Sequence, residues 1–236
     1  MYKKQLLSVL ILCLFVPLLV VAGFFLVKGK QYLLVSLLVI AAAMLPFFLS
    51  LEQKKLKVRE LVVTASIAAI AVASRGAFFF LPQIKPMCAI LVIAAVAFGA
   101  EFGFVCGALS MLLSNFIFGQ GMWTPFQMAG MGVTVFVTAL LIRTLHVRNR
   151  LIIGVLSGML CFLLYGLIVD LGSVFMMVSV YSVRTVLSVY MAGLPFNLIH
   201  GVTTGVLVAV FQPQIHEKLE RIQIKYGLFE TEKTKY

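Results

Sequence analysis

Eight apolar runs divide this chain, most of them long enough to cross a bilayer, and polar residues collect between them. The runs cover 5–27, 31–50, 61–81, 87–100, 102–118, 125–142, 151–170 and 186–211. Crossing about 30 Å of hydrocarbon takes about 20 helical residues. Backbone in lipid must satisfy its own hydrogen bonds, so the runs read as helices. The Gly99-Ala100-Glu101 turn between the fourth and fifth runs is very short. Composition points the same way. Of 236 residues, 62% are hydrophobic and 11% charged, where an average soluble domain carries about 25% charge. A water-soluble globule would expose too much of that apolar surface. The expectation is an all-α polytopic membrane protein.

The clearest break is the polar stretch from Glu52 to Glu60. It suggests an N-terminal transmembrane hairpin at 1–51, a cytoplasmic linker at 52–60, a six-span core at 61–211 and a cytoplasmic tail at 212–236. The first apolar run is longer than the 7–15 residues of a signal-peptide core, so it reads as a retained helix.

The net charge of +11 is a topology signal. With the N-terminus in the cytoplasm, 14 of the 19 basic residues fall on the cytoplasmic side. Lys28, Lys30, Lys85 and Arg184 fall outside, and Arg75 lies within a span. That bias places both termini in the cytoplasm, and it calls for no nucleic-acid partner. The four cysteines, Cys13, Cys88, Cys106 and Cys161, are far apart in apolar runs and form no CxxC pair. They read as buried free thiols.

Helices in lipid approach closely where small residues recur every fourth position. Ala65, Ala69 and Ala73 form one such stripe; Gly99, Gly103 and Gly107 another; Gly154 and Gly158 pair in a third, Gly201 and Gly205 in a fourth. Most of these suit internal packing. The alanine stripe is the candidate docking face for another membrane subunit.

Ionisable groups at membrane depth are functional candidates. Arg75 falls in the outer half of its span, Asp170 at the outer end of its own, and Lys85 and Arg184 outside. Each has a structural alternative, as a side chain reaching the headgroups or as half of an interhelical pair. Two external segments add pocket-like residues. One is aromatic and broken by prolines: Phe78, Phe79, Phe80, Pro82, Gln83, Lys85 and Pro86. The other holds Asn115, Gln120, Trp123, Thr124, Gln127 and Met128, and its amides exceed what an interfacial aromatic belt requires. Asn197 and His200 follow Pro195 and either face the same cavity or join helices. The sequence has no P-loop, no HExxH and no GxSxG, so it names no catalytic group.

The stretch from about 61 to 211 resembles the substrate-binding S component of an energy-coupling factor (ECF) vitamin transporter. The likeness rests on six short spans, the Ala65/Ala69/Ala73 stripe on the first, and the glycine-rich stretch from Gly99 to Gly107 followed by Ser114-Asn115. The segment Gly119-Gln120-Gly121-Met122-Trp123-Thr124-Pro125-Phe126-Gln127-Met128 is similar to that of cobalamin-type S components. The resemblance implies a vitamin, cobalamin, bound on the outer side. It also implies partnership with a membrane coupling subunit and two ATPase subunits, and docking through the alanine stripe. In that setting Phe78, Phe79, Phe80, Trp123 and Met128 would pack on the corrin ring, while Asn115, Gln120 and Gln127 pair with its amides. No cofactor or metal is expected. The N-terminal hairpin departs from the six-span pattern. An S component for another vitamin or micronutrient, a stand-alone carrier and a lipid-modifying membrane enzyme are the alternatives.

Overall fold

The computed structural model describes residues 58–178 and 182–229. The expected hairpin, Cys13 and most of the linker lie outside the described residues. Six helices make up the fold: α1 (Val58–Ala77), α2 (Met87–Phe98), α3 (Ala100–Phe118), α4 (Thr124–Thr144), α5 (Arg150–Met177) and α6 (Val183–Tyr226). There is no strand among the described residues. All except α2 have the length and apolar character to cross a membrane. The 12 residues of α2 span only about 18 Å.

The helix ends follow local chemistry. At the start of α6, Ser182 and Thr185 form a reciprocal capping box. Asn149 caps α5 by accepting from the Leu151 N–H at 2.9 Å. Helix α1 takes in residues 58–60, which fall in the expected linker, and α6 continues well past 211 to Tyr226. Beyond 211, His216–Glu220 and Glu217–Arg221 pair one turn apart on a polar surface. Helix α5 contains one wide π turn, Cys161–Tyr165.

Helices α2, α3 and α4 sit innermost. About 72% of the apolar window of α4 is buried within the bundle, against 22% for α6. The exposed side of α6 carries Leu187, Met191, Leu194, Leu198, Val202 and Val206. They recur every three or four residues, an apolar stripe suited to lipid.

Two contacts set the packing. A single residue, Gly99, joins α2 to α3 at φ +116°, a conformation open to glycine and strained for other residues. The hairpin is so tight that a Cβ on Gly103 would lie 2.5 Å from that of Ala95. In the second contact, α5 and α6 cross at the glycines the sequence singles out. A Cβ on Gly158 would come within 2.7 Å of the Gly201 carbonyl, so the backbones touch.

After α6 the chain turns at Gly227 in the left-handed region. Leu228 is buried, and the Phe229 N–H donates to Glu60 Oε1 at 2.6 Å. The Phe229 ring packs on Phe98 and Phe102, so the segment after α6 is fastened both to the start of α1 and to the α2–α3 turn.

Candidate functional site

A cavity of about 620 Å³ opens among all six helices and the segment between α1 and α2. Helices α1–α4 give it one wall, with Arg75, Met87, Met111, Gln127 and Met131. Helices α5 and α6 give the other, with Asp170, Ser173, Ser188, Gly193, Asn197 and His200. The π turn ends at Tyr165, which also lines the cavity. Such bulges redirect side chains and are frequent at functional sites.

Arg75 is held by one nitrogen. Its Nη1 donates to Ser114 Oγ at 2.7 Å and to Asn115 Oδ1 at 3.1 Å. The Phe118 ring faces the guanidinium at 5.2 Å. Nε and Nη2 make no hydrogen bond to the described residues. Asn115 is fully buried and works as a hub. Its Nδ2 donates to Thr124 Oγ1 at 3.2 Å and to Gln127 Oε1 at 2.8 Å. Thr124 donates in turn to Gln120 Oε1 at 2.8 Å, and Gln120 Nε2 to the Leu112 carbonyl. The amides and hydroxyls of this segment thus bond to one another and aim Arg75. Gln127 is the member that also reaches the cavity.

Lys85 ties its own loop, donating to the carbonyls of Phe78, Phe79 and Leu81 at 2.8–3.1 Å. Burial, and then the Arg75 charge, pulls its ammonium below the ordinary lysine value. Gln83, in the same loop, lines the cavity from a left-handed backbone conformation, φ 57°, which is uncommon for a residue with a side chain.

On the other wall, the Asp170 side chain is 7% exposed and accepts from Asn197 Nδ2 at 2.7 Å. Because α5 runs on to Met177, Asp170 sits about two turns inside the helix, where the sequence expects it at the outer end. His200 is buried, with the Tyr165 ring edge-on at 5.1 Å. Its Nε2 has no hydrogen-bond partner among the described residues. Cys88, Cys106 and Cys161 are free and buried. No cluster of potential metal ligands occurs among the described residues.

The structure therefore brings Arg75, Gln83, Lys85, Gln127, Asp170, Asn197 and His200 together around one cavity. It places the other expected site residues elsewhere. Asn115, Gln120 and Thr124 are in the network behind Arg75. Met128 is packed in the core. Phe78, Phe79 and Phe80 lie on the loop surface, where Phe79 stacks on Phe118 at 5.3 Å. The Trp123 ring covers Gly121, and Arg184 is exposed in the first turn of α6. Sequence reasoning misses the methionines 87, 111, 131 and 177, Tyr165, and the small and apolar residues of α5 and α6, among them Val169, Ser173, Ser188, Gly193 and Phe196. Residues of these types are common throughout the chain and give no signal until the helices are packed. Ala65, Ala69 and Ala73 are all exposed along one face of α1.

Fold and cavity together define a multi-pass helical protein of the cell membrane whose bundle holds a chamber with mostly apolar walls and a few polar groups. The chain belongs to the ECF-type riboflavin transporter S component family, whose model matches residues 55–217. This is a family of transporter substrate-binding subunits, not of enzymes, and its members work with a module of membrane coupling and ATPase subunits. The family description names riboflavin, where the resemblance in the sequence points to cobalamin. No curated protein and no solved structure matches the chain.

Proposed function

We propose that this chain is the substrate-binding subunit of an ECF importer and that its cavity takes a vitamin of riboflavin's size. The observation that carries this reading is the chamber itself. Its volume of about 620 Å³ lies in the range of drug-sized ligands, and its apolar walls carry a few convergent polar groups. An intact corrinoid is far larger. Cobalamin is the second reading, favoured by the Gly119–Met128 segment, and it needs a chamber larger than this one. With the basic residues inside, the Arg75 end of the cavity faces outward. The exposed Ala65/Ala69/Ala73 face of α1 is the surface for the coupling subunit, since small residues permit close helix contact. ATP is hydrolysed by the separate subunits.

The test is riboflavin fluorescence titrated with the purified full chain. Saturable one-to-one quenching is expected. Retention of cobalamin instead of riboflavin shifts the assignment to the second reading, and retention of neither ends the riboflavin and cobalamin assignments. In cells that contain the coupling module, Ala69→Leu is expected to reduce uptake at least about 10-fold, the effect of a contact worth about 1.4 kcal/mol. Binding by the isolated chain should stay unchanged; loss of both together would remove the docking role.

A further inference from the structure

Asp170 and Asn197 are built into the α5–α6 contact in a reciprocal way. Asp170 of α5 lies over the bare backbone of Gly193 on α6: a Cβ there would be 2.5 Å from both carboxylate oxygens. Asn197 of α6 lies over the bare backbone of Gly166 on α5: a Cβ there would be 2.8 Å from the Asn197 Cγ. Each polar group is one helical turn from the glycine that receives the other. The pair is joined by the 2.7 Å hydrogen bond from Asn197 Nδ2 to Asp170 Oδ2.

This arrangement leaves the carboxylate under-supplied. Two carboxylate oxygens offer about four acceptor sites, and Asn197 fills one. No cation pairs with Asp170 among the described residues. Its remaining acceptor sites open on the cavity, at whose wall Asp170 lies 7% exposed. Its polar neighbours on that wall are hydroxyl, amide and imidazole, Ser173, Ser188, Asn197 and His200, set among the apolar Val169, Met177, Val189 and Phe196. The α1–α4 wall has another character. There the thioethers of Met87, Met111 and Met131 line the cavity with Arg75, Met111 Sδ standing 3.8 Å from its Nη1, and Arg75 presents N–H groups the described residues do not use.

We infer that the Asp170–Gly193–Asn197 corner is a subsite for a chain of hydroxyl groups, and that the cavity accepts its ligand in one orientation. The inference rests on the riboflavin-sized reading above and deepens it. The flat ring system lies on the methionines, with its carbonyl oxygens toward Arg75. The hydroxylated chain runs toward α5 and α6 and donates to Asp170. Hydroxyl donors to a carboxylate make short, charge-assisted bonds. The two glycines keep the carboxylate and the amide close to the backbone, which leaves the chain room.

The experiment compares two flavins on the purified full chain: riboflavin, and lumiflavin, which has the same ring and a methyl group in place of the hydroxylated chain. The wild type is expected to bind riboflavin more tightly. Asp170→Asn should weaken riboflavin by about 10- to 100-fold, the worth of hydrogen bonds to a charged group, and leave lumiflavin within about twofold. Gly193→Ala keeps the carboxylate but pushes it from its seat, and should act in the same direction. If Asp170→Asn does not fold, Gly193→Ala decides the matter alone. Equal loss of both flavins, or no loss of either, overturns the subsite. A wild type that binds lumiflavin as tightly as riboflavin also overturns it, while the vitamin-sized cavity stands. A wild type that binds neither flavin overturns the riboflavin reading, and the subsite falls with it.

Discussion

The two walls of the cavity are built on opposite plans. On the α1–α4 side, Arg75 Nη1, Ser114, Asn115 and Thr124 are bonded to one another, and the network runs on to Gln120 and Gln127. On the α5–α6 side, Asp170 has one hydrogen bond, and His200 Nε2 has none among the described residues. The first wall is shaped before any ligand arrives, because its polar groups hold each other in place. The second carries polar groups whose demand is left over after folding. A binder needs both: a rigid surface that limits the entropy lost on binding, and unspent hydrogen-bonding capacity to discriminate.

Breaking the first wall at its charged tip should have the largest effect. Arg75→Met removes the guanidinium and leaves Ser114 and Asn115 without their donor. Riboflavin affinity is expected to fall by about 100-fold or more, as the loss of several charge-assisted bonds implies, with a lower Tm in detergent. Asn115→Ala tests whether that wall is prebuilt. The hub loses bonds to three partners, so stability should drop by about 2–4 kcal/mol, read by thermal melting. Affinity should fall less than in Arg75→Met, because Asn115 does not reach the cavity. If the two substitutions are equal in affinity, or Asn115→Ala is the milder in stability, the division between aiming and contact is wrong. The smallest effect is expected for Phe80→Ser. Phe80 is 91% exposed, and a change of less than about twofold in riboflavin affinity fits its place outside the wall, since surface substitutions stay within about 0.5 kcal/mol.

Much of this architecture is legible in the sequence. The six helices between 58 and 226 each fall on one apolar run, α5 and α6 extending beyond theirs, because lipid solvation ties length and hydrophobicity to helix directly. Even the short α2–α3 connection is marked by Gly99. The site is less legible. The amides near 115–127 signal buried polar chemistry, but whether they meet a ligand or each other depends on Thr124 standing one turn from Gln120, and on Arg75 arriving from α1. Three aromatic residues at 78–80 look like a ring-binding surface by type, yet their loop leaves them outward. Asp170 reads as terminal because the apolar run weakens there, whereas α5 continues for about two more turns. The π turn at Cys161–Tyr165, which ends at a residue of the chamber wall, has no counterpart in composition.

The clasp between Glu60 and Phe229 has a consequence of its own. Residues separated by 169 positions in the chain stand side by side, so the six-helix unit is closed like a bracelet. Whatever is attached ahead of α1 and whatever follows α6 must leave from the same corner of the molecule. A gene rearranged to join 229 directly to 58 by a short linker, and opened instead in the exposed turn at 145–146, ahead of the Asn149 cap, would encode the same bundle with new ends.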